Sequence, residues 1–402
     1  MIRVSNLRKE QLVQSHECRI ICDIKCGFSE CEHLWISVPE EFGEWLTDDV
    51  YDAFMIAMLY PAMYYNEELV VDGYVSEKLY YNVMHSVQDC EKAYIEALSN
   101  IKISVAGFAT AKKVDNKVGM GFTAGVDAFA TLYDRFVLEE NPNYRISTLF
   151  FFNVGTHGGG GERARAKFHS RYNYILPLVQ ELGLPFVPMD SNLFDFYKFE
   201  WEYDAGVLCR AFGILSFQRV LKRYVVAYDY SFWEIVHLNN ADYASITDMV
   251  NYHNLCTEGL DIITDGTQYR RSEKTEKLLN YQPFQKYVNV CVGNGSTEAH
   301  NCSKCGKCRR TLFSIDVLGR LDDFKETFDI KEWEKNRYLH LCRMVRDQKK
   351  DIYAADNLQL AKRHNVRIHS LVEAYIYIDY SGVIRESKRM LSSILNKEPK
   401  CS

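Results

Sequence analysis

Cys291 stands a short loop ahead of Cys302, Cys305 and Cys308, in the run Cys-Val-Gly-Asn-Gly-Ser-Thr-Glu-Ala-His-Asn-Cys-Ser-Lys-Cys-Gly-Lys-Cys. Two-residue spacers let neighbouring sulfurs converge on a single ion, and the small and polar residues between them permit the turns that convergence needs. The spacing predicts a closed zinc site; four unrelated reduced cysteines are the competing reading. Lys304, Lys307, Arg309 and Arg310 stand close enough in sequence to offset surplus thiolate charge. A tetrahedral ion with four protein ligands keeps no open position. The metal is therefore expected to staple a loop, and any chemistry has to come from elsewhere in the chain.

The 402 residues are 47% hydrophobic and 13% aromatic, enough to bury a large core divided among two or three domains. A formal charge of -6 argues against a surface that coats long nucleic acid. Thirteen cysteines would suit a secreted protein, but the start Met-Ile-Arg-Val-Ser-Asn-Leu-Arg-Lys-Glu has no apolar signal core. A reducing, cytoplasmic setting is expected. No apolar run approaches the roughly 18 to 20 residues that cross a bilayer. The best, residues 53–65, reads as short and amphipathic, so no membrane partner is expected.

Period-two alternation in residues 18–25 and 33–38, with a further short strand at 70–75, and helical patterns at 49–65 and 76–99 predict a small α+β domain over residues 1–112. Its cysteines at 18, 22, 26 and 31 lack knuckle spacing and read as buried apolar thiols before they read as a second metal site. From residue 118 the rhythm becomes strand, glycine turn, helix, strand, which predicts an α/β domain with a parallel sheet. Strands are expected at 117–122, 146–154, 185–189 and 224–227, and helices at 126–138, 163–182 and 205–221. This domain, with the cysteine loop, spans 113–318. A helical region follows over 319–402, with patterns at 356–364 and 371–380.

The first strand of the second domain runs into Gly-Phe-Thr-Ala-Gly-Val-Asp-Ala-Phe-Ala, a turn of small residues whose amides close on an anion at the positive end of a helix. Thr123 and Asp127 equally suit a helix cap and a first-turn acid. The segment resembles the Ser-Gly-Gly-X-Asp-Ser loop of the ATP pyrophosphatase (PP-loop) family. Joined to the downstream cysteines, it is most similar to the 7-cyano-7-deazaguanine synthase (QueC) family, which pairs such a loop with a Cys, spacer, Cys-X-X-Cys-X-X-Cys zinc site in the same order. Thr123 falls on the first serine, Ala124 and Gly125 on the two glycines, Asp127 on the aspartate and Ala128 on the final serine, with Val126 between them. Asn153, in Phe-Asn-Val-Gly, stands at the family's second strand end, and Lys274-Thr275-Glu276 resembles its Lys-X-Glu.

That resemblance covers about half the chain, residues 118–318, and has gaps. The family's Gly-Gln-Arg-His is replaced by Gly155, Thr156, His157 and a run of glycines; its Pro-X-Arg-Asn is replaced around Arg210; and its Ser-Gly-Tyr-Pro-Asp-Cys is absent. The resemblance implies a PP-loop fold carrying ATP, Mg2+ and Zn2+. ATP would be held by residues 123–128, Asn153 and Lys274, with Asp127 and Lys274 as catalytic residues and Cys291, Cys302, Cys305 and Cys308 on zinc. It implies an ATP-dependent ligase that adenylates 7-carboxy-7-deazaguanine or a related small carboxylate, releases pyrophosphate and couples the acyl group to an amine. A protein amine is an alternative acceptor, because relatives in bacterial anti-phage operons join a deazaguanine to a protein terminus. A nucleotide-binding module without turnover is the competing class, motivated by Ala124 and Ala128. Four further features stand beside these. His157 reads as an exposed loop residue, a general base or substrate contact though more often neither, Cys209 and Cys256 as core thiols before nucleophiles, residues 190–192 as adenine or ribose contacts or a turn, and Lys274 alternatively as part of a solvated helix face. The oligomeric state stays open, a homodimer included.

Overall fold

The computed structural model of the chain describes residues 1–155, 157–202, 204–237, 244–291 and 299–366. It divides into two compact units, the first comprising residues 1–270, 287–289 and 295–299, and the second residues 271–286, 290–294 and 300–402.

The first unit is built on one sheet of ten strands: β1 Ile2–Leu12, β2 Glu17–Lys25, β3 His33–Pro39, β4 Leu69–Val75, β5 Ile103–Phe108, β6 Lys117–Gly121, β7 Thr148–Phe152, β8 Phe186–Ser191, β9 Leu221–Ala227 and β10 Asp261–Asp265. Their spatial order is β10-β9-β6-β7-β8-β3-β2-β1-β4-β5. Six of the nine pairings are parallel. Every expected strand falls on one of these. β1, β5 and β10 were not expected; in β1 charged residues interrupt the alternation.

Three helices belong to the N-terminal half, α1 Asp52–Tyr65, α2 Glu77–Asn82 and α3 Gln88–Tyr94. The expected amphipathicity of 53–65 does not hold, since α1 is buried on all sides from Asp52 to Met63. Such a helix belongs in a core. Phe54 meets Phe212 edge-on with ring centroids 5.8 Å apart. Crossovers follow in sequence: α4 Val126–Leu132, α5 Gly161–Leu182, α6 Gly206–Leu215, α7 Phe232–His237 and α8 Ala244–Asn254. α6 stops six residues short of the expected end at Leu221. There the Ser216 hydroxyl back-bonds to the Phe212 carbonyl at 2.7 Å, and the Lys113 ammonium donates to the carbonyls of Gln218 and Leu221. The chain leaves β6 toward β7 and β8, then returns to the other side of β6 for β9 and β10, so strand order reverses between β6 and β9.

Segments 1–112 and 113–270 share this sheet and this unit. The join is antiparallel, Ile36 facing Ser191 and Ser37 facing Asp190. The buried Asn192 extends it with its side chain, Oδ1 accepting from the Trp35 N–H at 2.8 Å and Nδ2 donating to the His33 carbonyl at 2.8 Å.

The second unit is helical, as expected from residue 319 onward, with α9 Arg271–Leu278, most of α10 Gln282–Tyr287, α11 Gly306–Val317, α12 Ile330–Asp347 and α13 Ile352–Arg363. Asp329 and Asp351 cap α12 and α13 by accepting first-turn amides. Trp333 is wholly buried, and its Nε1–H donates to Asp316 Oδ2 at 3.0 Å. The expected helix at 371–380 lies outside the described residues. Among the described residues no helix is long and apolar enough to cross a membrane.

Asn192→Ala strips the part-buried Trp35 N–H and His33 carbonyl of this partner, each costing about 1–2 kcal/mol. The expected outcome is a loss of about 2–4 kcal/mol in urea unfolding, with the secondary structure unchanged by circular dichroism.

Candidate functional site

The four cysteines predicted to act together do come together. Their sulfurs all lie within 4.8 Å of one another, with Cys305 3.5 Å from Cys308, Cys302 3.9 Å from Cys308 and Cys291 4.0 Å from Cys305. Tetrahedral zinc with bonds of about 2.3 Å sets sulfurs about 3.8 Å apart. The donor set therefore fits a metal ion such as zinc. Local backbone builds it: Ser303 takes the left-handed conformation at φ +56°, Cys305 caps α11, and the amides of Cys305 and Cys308 point at the sulfurs of Cys302 and Cys305, at 3.2 and 3.5 Å. Asn301 ties the two halves of the motif to the helices, accepting from the Val290 N–H at 2.9 Å and donating to the Thr327 carbonyl at 3.1 Å. Hydrogen bonds, first from Cys308 and then from Cys302 and Cys291, push the Cys305 thiol down, and Cys308 is held correspondingly high. Four thiolates at this spacing repel unless a cation sits among them. The expected basic compensation is partly spent elsewhere: Lys304 faces Glu332 at 3.8 Å, and Arg310 lies over the Tyr353 ring at 3.9 Å.

In the first unit, the loop between β6 and α4 occupies the reversal of strand order, where open α/β sheets place ligands outside the carboxyl ends of their strands. Thr123 is exposed at its rim, Asp127 is half-buried, and Ala124, Val126 and Ala128 are buried. Ala124 adopts φ +57°, a conformation natural to glycine and costly for alanine. The Asn289 N–H holds that turn through the Ala124 carbonyl at 2.8 Å. Gly125 is the N-cap of α4 without a side-chain cap, so the Thr123 cap reading does not hold.

Asn153 lies at the end of β7, beside β8. Its Nδ2 donates to Asp190 Oδ1 at 2.7 Å, while Arg165 engages Asp190 Oδ2 at 2.9 Å. Asp190 and Ser191 belong to β8 and are not a turn. Asn153, Arg165 and Ser191 line a pocket with Asn192, Phe194, Asp195 and the glycines at the start of α5. Gly155, at φ +108°, is required there, because a Cβ would stand 2.3 Å from the Phe194 ring. Sequence reasoning missed a further group in this unit. Arg210 of α6 pairs with Asp248 at 2.5 Å and donates to the Tyr252 hydroxyl, both partners on α8. The only signal was the four-residue spacing of Asp248 and Tyr252, which shares a helix face.

Two expectations are corrected. His157 is not exposed; it is 3% accessible, packed against Phe151 and Phe168 with ring centroids at 5.1 and 5.5 Å. Burial, then the charges of Arg171 and Lys167, push its pKa down to about 3, so it is a neutral core residue. Lys274 is not on a solvated face either. In the second unit it is wholly buried on α9 with Ser272, Thr275 and Leu278, while Glu273 and Glu276 face Arg363 and His364. Burial pushes the Cys209 thiol up to about 12 and raises Cys256, as befits core thiols. Cys18 and Cys22 are likewise buried and raised.

No protein-family model matches the chain, and no curated protein or solved structure matches it.

Elemental analysis of the purified chain is expected to give one zinc per chain, and Cys308→Ser to lose at least 90% of it. A second expectation concerns acid stability. The unfolded chain takes up a proton on His157 near pH 6.5, whereas the folded chain keeps the ring neutral to about pH 3. Wild-type stability is therefore present above that window and lost as pH falls through it. Relative to wild type, His157→Phe should gain stability by up to about 1.4 kcal/mol per pH unit between those limits, measured by denaturant unfolding.

Proposed function

We propose that the chain is an ATP-dependent carbon–nitrogen ligase of the PP-loop type, a specialised relative of the 7-cyano-7-deazaguanine synthase family. The observation that carries this is the strand, small-residue loop and helix at the reversal of strand order, with Ala124, aligned with a glycine of the family, in a left-handed conformation natural to glycine. A four-sulfur set in the family's order supports it.

The loop amides and the exposed Thr123 hydroxyl cradle the pyrophosphate half of ATP, the kind of preorganised donor array that phosphoryl chemistry needs. Asp127 orients Mg2+ or the loop. A carboxylate oxygen of 7-carboxy-7-deazaguanine or a related base attacks the α-phosphorus, and pyrophosphate departs. The amine nitrogen then attacks the acyl carbon, AMP leaves with the bonding electrons, and the nitrogen loses a proton. Zinc shapes its loop and takes no part in these steps.

A protein amine as acceptor is the second form of this activity. It is favoured by the strands of residues 1–112, which extend the sheet from the edge of β8 and have no counterpart in the family's pattern.

Incubating the chain with ATP, Mg2+ and 7-carboxy-7-deazaguanine, with and without ammonia, tests both. Equal AMP and pyrophosphate with amide or nitrile is expected, falling at least 100-fold in Asp127→Asn while thermal melting holds. An adenylate that stalls with ammonia points to the protein acceptor. No AMP with any carboxylate, from folded zinc-loaded protein, overturns the ligase and leaves a nucleotide-binding module. A gain of nucleotide binding in Ala128→Ser would then support that module.

A further inference from the structure

Arg19, on β2, is a positive charge that no carboxylate meets. The ladder between β2 and β3 sets Arg19 opposite Ser37 and Ile21 opposite Trp35, so Arg19 and Trp35 are diagonal neighbours on one face of the sheet. The Arg19 guanidinium carbon lies 4.0 Å from the Trp35 ring centroid, well within cation–π range. Among the described residues that ring is its one contact of this kind: Arg19 makes no hydrogen bond and no ion pair, and its Nε is buried without a partner.

The carboxylates around it are turned to other donors. Glu17 accepts from the Ser37 hydroxyl at 2.8 Å, Glu10 pairs with Arg8 at 3.0 Å, and Asp190 accepts from Asn153 at 2.7 Å and from Arg165 at 2.9 Å. Burial lowers the Arg19 pKa, and the charges of Glu17, Glu10 and Asp190 oppose that without touching the group. A guanidinium stays protonated under such a shift.

Arg165 reaches the same ring from α5, its guanidinium carbon 5.4 Å from the Trp35 centroid. Asp190 anchors it through Nε alone, and its side chain is 36% accessible. Its two terminal nitrogens make no hydrogen bond among the described residues. The two guanidinium carbons stand no further apart than the sum of their distances to the ring. Arg19, Trp35 and Arg165 are all partly exposed, so a ligand meets them at the surface and needs no enclosed cavity.

Each guanidinium edge matches a pair of anionic oxygens. One carboxylate satisfies one edge. A molecule with an anionic group at each end satisfies both, and the second contact is then intramolecular. We infer that Arg19 and Arg165, set about the Trp35 ring, bind a ligand with two anionic ends, a diphosphate or a dicarboxylate. The site stands on β2, β3 and α5, apart from the β6 loop, and does not rest on the ligase reading.

Isothermal titration of the full chain with pyrophosphate, succinate and acetate, without Mg2+, is the experiment. Saturable binding of pyrophosphate or succinate is expected, at least 10-fold tighter than acetate, and the tighter of the two names the class. Arg19→Gln should weaken it at least 10-fold with the melting temperature held, since Arg19 has no polar contact to lose. Arg165→Lys keeps a charge beside Asp190 without the planar fork and should weaken it at least 10-fold as well. Thr123→Ala should leave it intact. Binding that falls in Thr123→Ala and not in Arg19→Gln belongs to the β6 loop and overturns the assignment, as would undiminished binding in Arg19→Gln, acetate as tight as the two-ended anions, or no saturable heat at millimolar pyrophosphate and succinate.

Discussion

Two residue pairs, Ile36 with Ser191 and Ser37 with Asp190, carry the antiparallel contact between β3 and β8. Left apart, each strand would present a row of unpaired amides and carbonyls, and a buried edge of that kind is costly. The Asn192 side chain completes the ladder where backbone pairing ends, substituting its amide for a peptide group opposite His33 and Trp35. This short seam is what makes one sheet of two differently built halves. It also sets the crevice beside it: Asp190, paired across the seam, directs its carboxylate to Asn153 and Arg165 at the strand ends.

Both units must bury polar groups, and they do so by different means. In the first unit most of the pairing is backbone ladder, and the exceptions are isolated side chains held in place. Asp52 is wholly buried and accepts from the Ser76 N–H and Gln218 at 2.7 and 2.8 Å, yet burial still pushes its carboxyl up to about 7. Glu91, similarly buried against Asn251, is pushed up to about 8. Among the described residues the second unit has no sheet, and helices satisfy their own backbones without linking to one another. Cross-links there must come from side chains: Asn301 between two loops, Asp356 across to α9, Asn357 across to α11, and the cluster of four sulfurs. A metal ion held by the four sulfurs would add one more such cross-link.

The strands legible in the sequence were those with clean alternation or a continuous apolar run between glycine turns, as in β2, β3 and β7. β1 escaped because its second half carries Arg8, Lys9 and Glu10, which suit a strand only when its ladder partner β2 is known. α1 was misjudged for the opposite reason. Its residues are apolar with scattered tyrosines, and periodicity alone does not tell a helix with one wet face from one enclosed on all sides. His157 shows the same limit at the level of a single residue: a histidine among glycines looks accessible, but the glycines' positive φ angles turn the chain back and bury the ring between Phe151 and Phe168.

The cysteine cluster was the most legible part of the candidate site, because ligand spacing in a short segment constrains geometry almost completely; the residues that convergence requires are adjacent in the chain. The small-residue loop was legible as a turn ahead of a helix for the same local reason. What the sequence by itself determined was therefore local: which segments alternate, where a strand must turn, which four sulfurs can meet. Only the tertiary structure decided the rest. It put the β6 loop at the reversal of strand order, joined residues 1–112 to the same sheet through β3 and β8, set Arg210 against Asp248 and Tyr252, and brought Arg19 and Arg165 to the Trp35 ring. Each of these brings together residues tens of positions apart. Such contacts are fixed by which faces pack and which edges pair, and the entropy of closing those loops is offset only when the whole core forms.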